Sequence, residues 1–169
     1  MSYHLHFRAV PEAEIRDDYT WLEEFMCDAW DDLPAECAAG IADSIDKDFS
    51  LVDNLYAAAA TLGETKNGSG ESGTWELPIF GGRPVYHPDH SQPPLLILTP
   101  EETRTAADFL IAAPFDTLWE AAGAKIRAPF FNWDEAEVKA IFVSHHTSLR
   151  AFYQQTASAG HAVIKMARY

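Results

Sequence analysis

His87-Pro88-Asp89-His90 places two imidazoles and a carboxylate within four positions. Imidazole nitrogens and carboxylate oxygens are ordinary ligands for zinc and related ions. Pro88 bars a regular helix through the stretch, and an extended strand would send positions 87 and 90 to opposite faces. A type I turn, with proline second and aspartate third, brings the end Cα atoms within about 7 Å. His87, Asp89 and His90 are therefore the candidate metal ligands, with Asp89 either ligating or orienting an imidazole. A complete site needs three or four ligands, and no further His or Cys lies close in sequence. The competing reading is an exposed polar turn whose imidazoles meet only water.

Other chemistry-bearing residues carry weaker signals. His145 follows Ile141 and precedes Leu149 by four residues each, which puts it on the apolar stripe of a helix. His146 points about 100° away, so the two cannot ligate from one face. A core-edge imidazole bonded to a backbone or hydroxyl group accounts for His145; a site would pair it with His161 or a strand histidine. His4 and His6 share a strand face, but Arg8 continues that face, and a cation there disfavours a metal. Gly-x-Ser-x-Gly is absent, and Ser144 beside His145 sits mid-helix, where no nucleophile elbow forms. Gly81-Gly82-Arg83 lacks the lysine and hydroxyl of a phosphate loop. The acid pairs Asp17-Asp18, Glu23-Glu24 and Asp31-Asp32 have no apolar setting that would raise a pKa. The five tryptophans read as core and rim. Cys27 and Cys37 lack a CxxC partner and read as small, reduced side chains. No catalytic residue and no cofactor is assigned.

Charge says more. The net charge is -14. Residues 1–76 hold 17 acids against 4 bases, whereas residues 77–169 hold 9 against 8. Residues 12–48 alone carry 13 carboxylates against Arg16 and Lys47. Such a surface repels phosphates and anionic lipid, so nucleic acid and membrane are not expected partners. It attracts a basic protein and speeds that encounter. A solvated acidic surface that aids solubility is the plainer alternative. No apolar run nears the ~20 residues of a membrane span, and no secretory pattern opens the sequence. The expectation is a cytoplasmic protein, with oligomeric state left open.

Elements must position these groups. With 169 residues, one domain with its own core is expected over 1–169. Tyr3 to Val10 alternates as a half-buried strand. Pro11 opens a short helical segment, and Thr20 with Glu23 forms a capping box for a helix that Asp31-Asp32-Leu33-Pro34 stops. A helix runs from about Asp46 or Asp48 to Leu62, with Gly63 as its stop, and a Gly/Ser-rich loop occupies 65–73. The Pro84–Pro94 stretch has no periodicity. Leu95–Leu98 is a buried strand delivered into the capped helix start Thr99-Pro100-Glu101-Glu102. Pro114 ends that helix, and Asp116 caps a short one through Ala122. The longest helix spans about Asp134 to Gly160, and His161–Met166 forms a terminal strand. The fold class is α/β: a single layered domain, with a small mixed β-sheet covered by helices.

FRAVPEAEI, the Asp46-Lys47-Asp48-Phe49 helix, LTPEET leading to APFD, and LRAFYQQTASAGHAVIK follow one another along the chain. In that order they resemble the YfbM-like family, a bacterial family built on a domain of unknown function. The resemblance implies a layered α/β domain and no activity. Relatives carry Trp and His in the helix after Asp-Lys, where Phe49, Ser50 and Asp53 stand here. Three functional readings follow. The first is a non-enzymatic interaction module that docks a basic protein on the acidic N-terminal half. The second is a metal-binding protein or metal-dependent hydrolase built on His87, Asp89 and His90. The third is a small-ligand pocket beneath the long helix and the 63–94 loops.

Overall fold

The structure is a computed structural model that describes residues 3–64 and 73–168. Five strands and six helices make up the described chain. The strands are β1 (His4–Val10), β2 (Ala42–Ile45), β3 (Arg83–Val85), β4 (Leu95–Leu98) and β5 (Ala162–Arg168). They form one open sheet in the order β2-β1-β5-β4-β3. The helices are α1 (Tyr19–Asp28), α2 (Leu33–Ala38), α3 (Phe49–Glu64), α4 (Pro100–Ala112), α5 (Phe115–Arg127) and α6 (Glu135–Ser158). The α/β class, the helical cover and the terminal strand after a long helix are as expected. The sheet is not mixed, however: all four described pairings are antiparallel. Strand direction depends on how the intervening helices cross the layer, and hydrophobic period does not record that.

The period-2 alternation of the central strands builds two cores. Leu5, Phe7, Leu98 and Val163 face α3, α4, α5 and α6 in the larger one. Val10, Ile97, Ile164 and Met166 face α1 in the smaller one. Phe7, Phe142 and Tyr153 are fully buried, and each such side chain stabilises the fold by about 1.5–3 kcal/mol. On the outer face Arg8 clasps the acidic layer to the sheet. Its guanidinium donates to Phe25 O at 2.6 Å and to Glu36 Oε1 at 2.8 Å, and lies 4.0 Å over the Phe25 ring.

Local rules set most helix ends. Thr99 and Glu102 close the expected capping box. The box expected at Thr20 gives way to Asp18, whose side chain accepts from Thr20 N at 3.1 Å. Asp caps well from an extended backbone, and Asp18 lies one step ahead of the first helical residue. Asp32 and Pro34 do not merely stop α1; they start α2, with Pro near N1. Helix α3 passes Gly63, and α5 runs to Arg127 without an Asp116 cap. The Gly/Ser loop lies outside the described residues except for Gly73. Among the described residues no helix is long and apolar enough to cross a membrane.

Candidate functional site

The antiparallel register places two buried charges on one sheet face, either side of one residue. Phe7 stands opposite Asp43 on β2 and opposite Lys165 on β5. Residues paired across strands share a face, so all three look toward the helices.

Lys165 is fully buried. Its ammonium donates to Leu77 O at 2.7 Å, and Tyr153 Oη donates to Pro78 O at 2.8 Å. Two core side chains thus hold two consecutive carbonyls of the segment after the 3-10 turn Thr74–Glu76. Burial lowers the Lys165 pKa to about 7, against the opposing pull of Glu102 and Asp53. Asp53 on α3 is pushed up to about 6 by burial and by Glu76, with Lys165 acting the other way. Asp53 Oδ1 is buried and has no hydrogen-bond partner among the described residues.

Asp43 sits at the edge of the same face, 7% exposed. Its Oδ1 accepts from Ser148 Oγ at 2.9 Å and from Ser44 N at 2.8 Å. Its Oδ2 is buried without a hydrogen-bond partner among the described residues. Burial raises the Asp43 pKa, while the Ser148 and Ser44 hydrogen bonds and the nearby His145 oppose the shift. A cavity of about 120 Å³, with Asp43 and Ser148 in its lining, lies between α2, β2 and α6.

The histidines divide differently from expectation. His146, not His145, is the buried one, and its Nδ1 shares a hydrogen bond with the Tyr56 hydroxyl at 3.1 Å. Burial, with Arg150 nearby, lowers the His146 pKa. His145 lies at the core edge with Nε2 3.8 Å from Asp48 Oδ2, and meets neither His161 nor a strand histidine. A helix turns about 100° per residue, so a small roll of α6 decides which neighbour turns inward. His6 is fully buried where a solvated face was expected. The Trp30 ring covers it edge-on at 5.4 Å. Burial lowers its pKa to about 4, with Arg8 and Arg168 adding to the shift. A strand pattern cannot foresee that a tryptophan 24 positions on will fold over a polar position.

The His87-Pro88-Asp89-His90 turn forms, with His90 N donating to His87 O at 2.9 Å. Asp89 Oδ1 contacts His87 Nδ1 and accepts from Ser91 N and Ser91 Oγ. The two imidazoles go to different rings: His87 packs edge-on against Tyr19 at 4.8 Å, and His90 lies 5.9 Å from Tyr86. His90 adopts a left-handed φ of 54°. Among the described residues no group of three or more His, Cys, Asp or Glu is placed to hold a metal ion.

Over these features the chain can be set beside known proteins. A family model described as a domain of unknown function, DUF1877, matches residues 1–166. The chain belongs to that family. No curated protein matches it. A solved structure of a protein of unknown function, YfbM from Escherichia coli, is similar with a TM-score of 0.59. It is 15% identical, and the match covers 98% of this chain and 99% of that one. At that identity the likeness concerns the fold alone. Membership thus carries no chemistry to Lys165, Asp53 or Asp43, which sequence reasoning had passed over. Lys165 had a signal: it is the one cation in the apolar strand AVIKM. Asp43 and Asp53 had none, because β2 was not foreseen and Asp53 looks like an ordinary helix-surface acid.

Proposed function

We propose that the chain is a single-domain, non-enzymatic interaction module whose acidic outer layer docks a basic protein. The observation that carries this reading is the state of the carboxylates on the layer of residues 12–48. Glu12, Glu14, Asp18, Glu24, Asp28, Asp31 and Asp32 are exposed, and no ion pair with a cation engages them among the described residues. Seven unpaired carboxylates on one layer hold a strong negative potential, which steers a basic surface into contact. Two clefts border the layer. One of about 380 Å³ is lined by Glu12, Asp17 and Glu102 together with Arg83, and Arg83 is already paired with Asp17 at 2.9 Å. The other, of about 270 Å³, is lined by Tyr19, Glu23 and Arg168 among others. The clasp from Arg8 fixes α1 and α2 to the sheet, so the layer is presented as a rigid surface.

Capture from a cell lysate on the immobilised protein tests this. Basic proteins should be retained at low salt and released at high salt, because exposed charges are screened over a Debye length of about 8 Å at physiological ionic strength. Retention that is indifferent to salt, or no retention of any basic protein, would sink the reading.

A further inference from the structure

The cavity beside Asp43 has a lining that selects a ligand. Asp43 Oδ2 is a buried acceptor to which none of the described residues donates. Ser148 uses its hydroxyl proton on Asp43 Oδ1, which leaves its oxygen lone pairs toward incoming donors. Gln155 uses its amide nitrogen on Ala39 O at 2.9 Å, which leaves its carbonyl oxygen as a third acceptor. Gly40 permits this, since a Cβ there would fall 2.1 Å from Gln155 Oε1. The remaining wall is apolar: Ala42 and Phe152 are buried, and Ala151 lies at the exposed side. Cys37 adds a thiol that burial, Asp43 and Glu36 keep protonated. Among the described residues no lysine or arginine lines the cavity.

We propose that this cavity is a receptor for a primary alkylammonium group. Its N–H donors match Ser148 Oγ and Gln155 Oε1, the Asp43 carboxylate behind them supplies the opposite charge, and its alkyl stem lies against Phe152 and Ala151. The cavity of about 120 Å³ accommodates such a tip. A bare calcium ion fits poorly, since it takes six to eight oxygens. The ammonium can come from a free small amine or from the lysine of a protein. The second source deepens the interaction reading and rests on it, because Cys37 joins the cavity to the acidic layer through α2.

The test is a chemical-shift titration at constant ionic strength. Ethylammonium and a doubly blocked lysine are the probes; tetramethylammonium and calcium are the controls. Saturable shifts are expected around residues 42–43 and 148–155. Asp43→Asn removes the charge, and Ala151→Leu fills the mouth from an exposed helix position while leaving the carboxylate intact. Both variants should bind about tenfold more weakly or worse. Tighter binding of blocked lysine assigns the site to a protein side chain, and tighter binding of ethylammonium assigns it to a free amine. No saturable shift with either amine in the wild-type protein overturns the proposal. So does wild-type affinity in both variants, or controls that bind as well as the amines. If the amines fail while Asp43→Asn still captures basic proteins in a salt-sensitive way, the pocket falls and the docking layer stands. If the amines bind and capture fails, the docking layer falls and the pocket stands as a free-amine site.

Discussion

Lys165 and Asp43 flank Phe7 on the same sheet face, yet the protein treats the two charges in opposite ways. With strands about 4.8 Å apart, two spacings separate them by roughly 10 Å, and the fully buried Phe7 ring stands between. Lys165 lies under the helices and hands its ammonium to a backbone carbonyl. Asp43 lies on the edge strand, keeps one oxygen unpartnered, and borders a cavity. A sealed charge with a backbone partner acts on folding. A charge at the sheet edge, behind the lining of a cavity, is placed to attract a ligand. Position in the strand order decides which role a buried group can have.

Removing the divider should have the largest effect. Phe7→Ala leaves a void between the two charges and should cost about 3–5 kcal/mol, read as a lower denaturation midpoint in urea. Phe7→Leu should cost much less. If Phe7→Ala is as stable as the wild type, the ring does not separate the charges.

Lys165→Met comes next. The folded-state pKa of about 7 lies below the usual 10.5, so the folded form sheds a proton that the unfolded chain keeps between those values. Stability should therefore rise with pH from 7 upward, because the unfolded state binds more protons there. The depression makes the buried ammonium cost on the order of 5 kcal/mol at pH 7, part of which its carbonyl partner offsets. Lys165→Met should be at least as stable as wild type at pH 7 and should lack the rise between pH 7 and 9. A wild-type stability that is flat over that window would refute the sealed-charge account.

Tyr153→Phe removes the second clamp on the segment and leaves Pro78 O without its partner. About 1 kcal/mol should be lost, together with faster amide exchange over 74–82 than elsewhere. Uniform exchange would show that the carbonyl clamps do not hold the segment. Asp43→Asn should have the smallest effect on stability, because it swaps one acceptor for another and removes a charge that burial disfavours. Its effect should fall on amine binding instead.

The sequence showed the frame because the frame rests on local rules. The Thr99 cap, the stripe of α6 and the alternation of β1 are each set within a few neighbouring residues. The roles of Lys165 and Asp43 come from the antiparallel register, which joins positions 7, 43 and 165, and no window on the sequence spans that distance. Strands β2 and β3, with four and three residues, are too short to leave a period. The two histidines of the 87–90 turn show the converse. Their spacing is compatible with a shared ligand, and which rings they pack against, Tyr19 for His87 and Tyr86 for His90, is set by the fold and not by the spacing.

On the proposed reading the carboxylate layer is the working surface. Glu24→Gln, Asp28→Asn, Asp31→Asn and Asp32→Asn combined neutralise four exposed, unpaired groups, and each such surface change should alter stability by no more than about 0.5 kcal/mol. The direct measurement is capture of basic proteins at low salt by this variant and by the wild type, side by side. The wild type should retain a basic protein which the folded variant loses. Equal retention by both would contradict it.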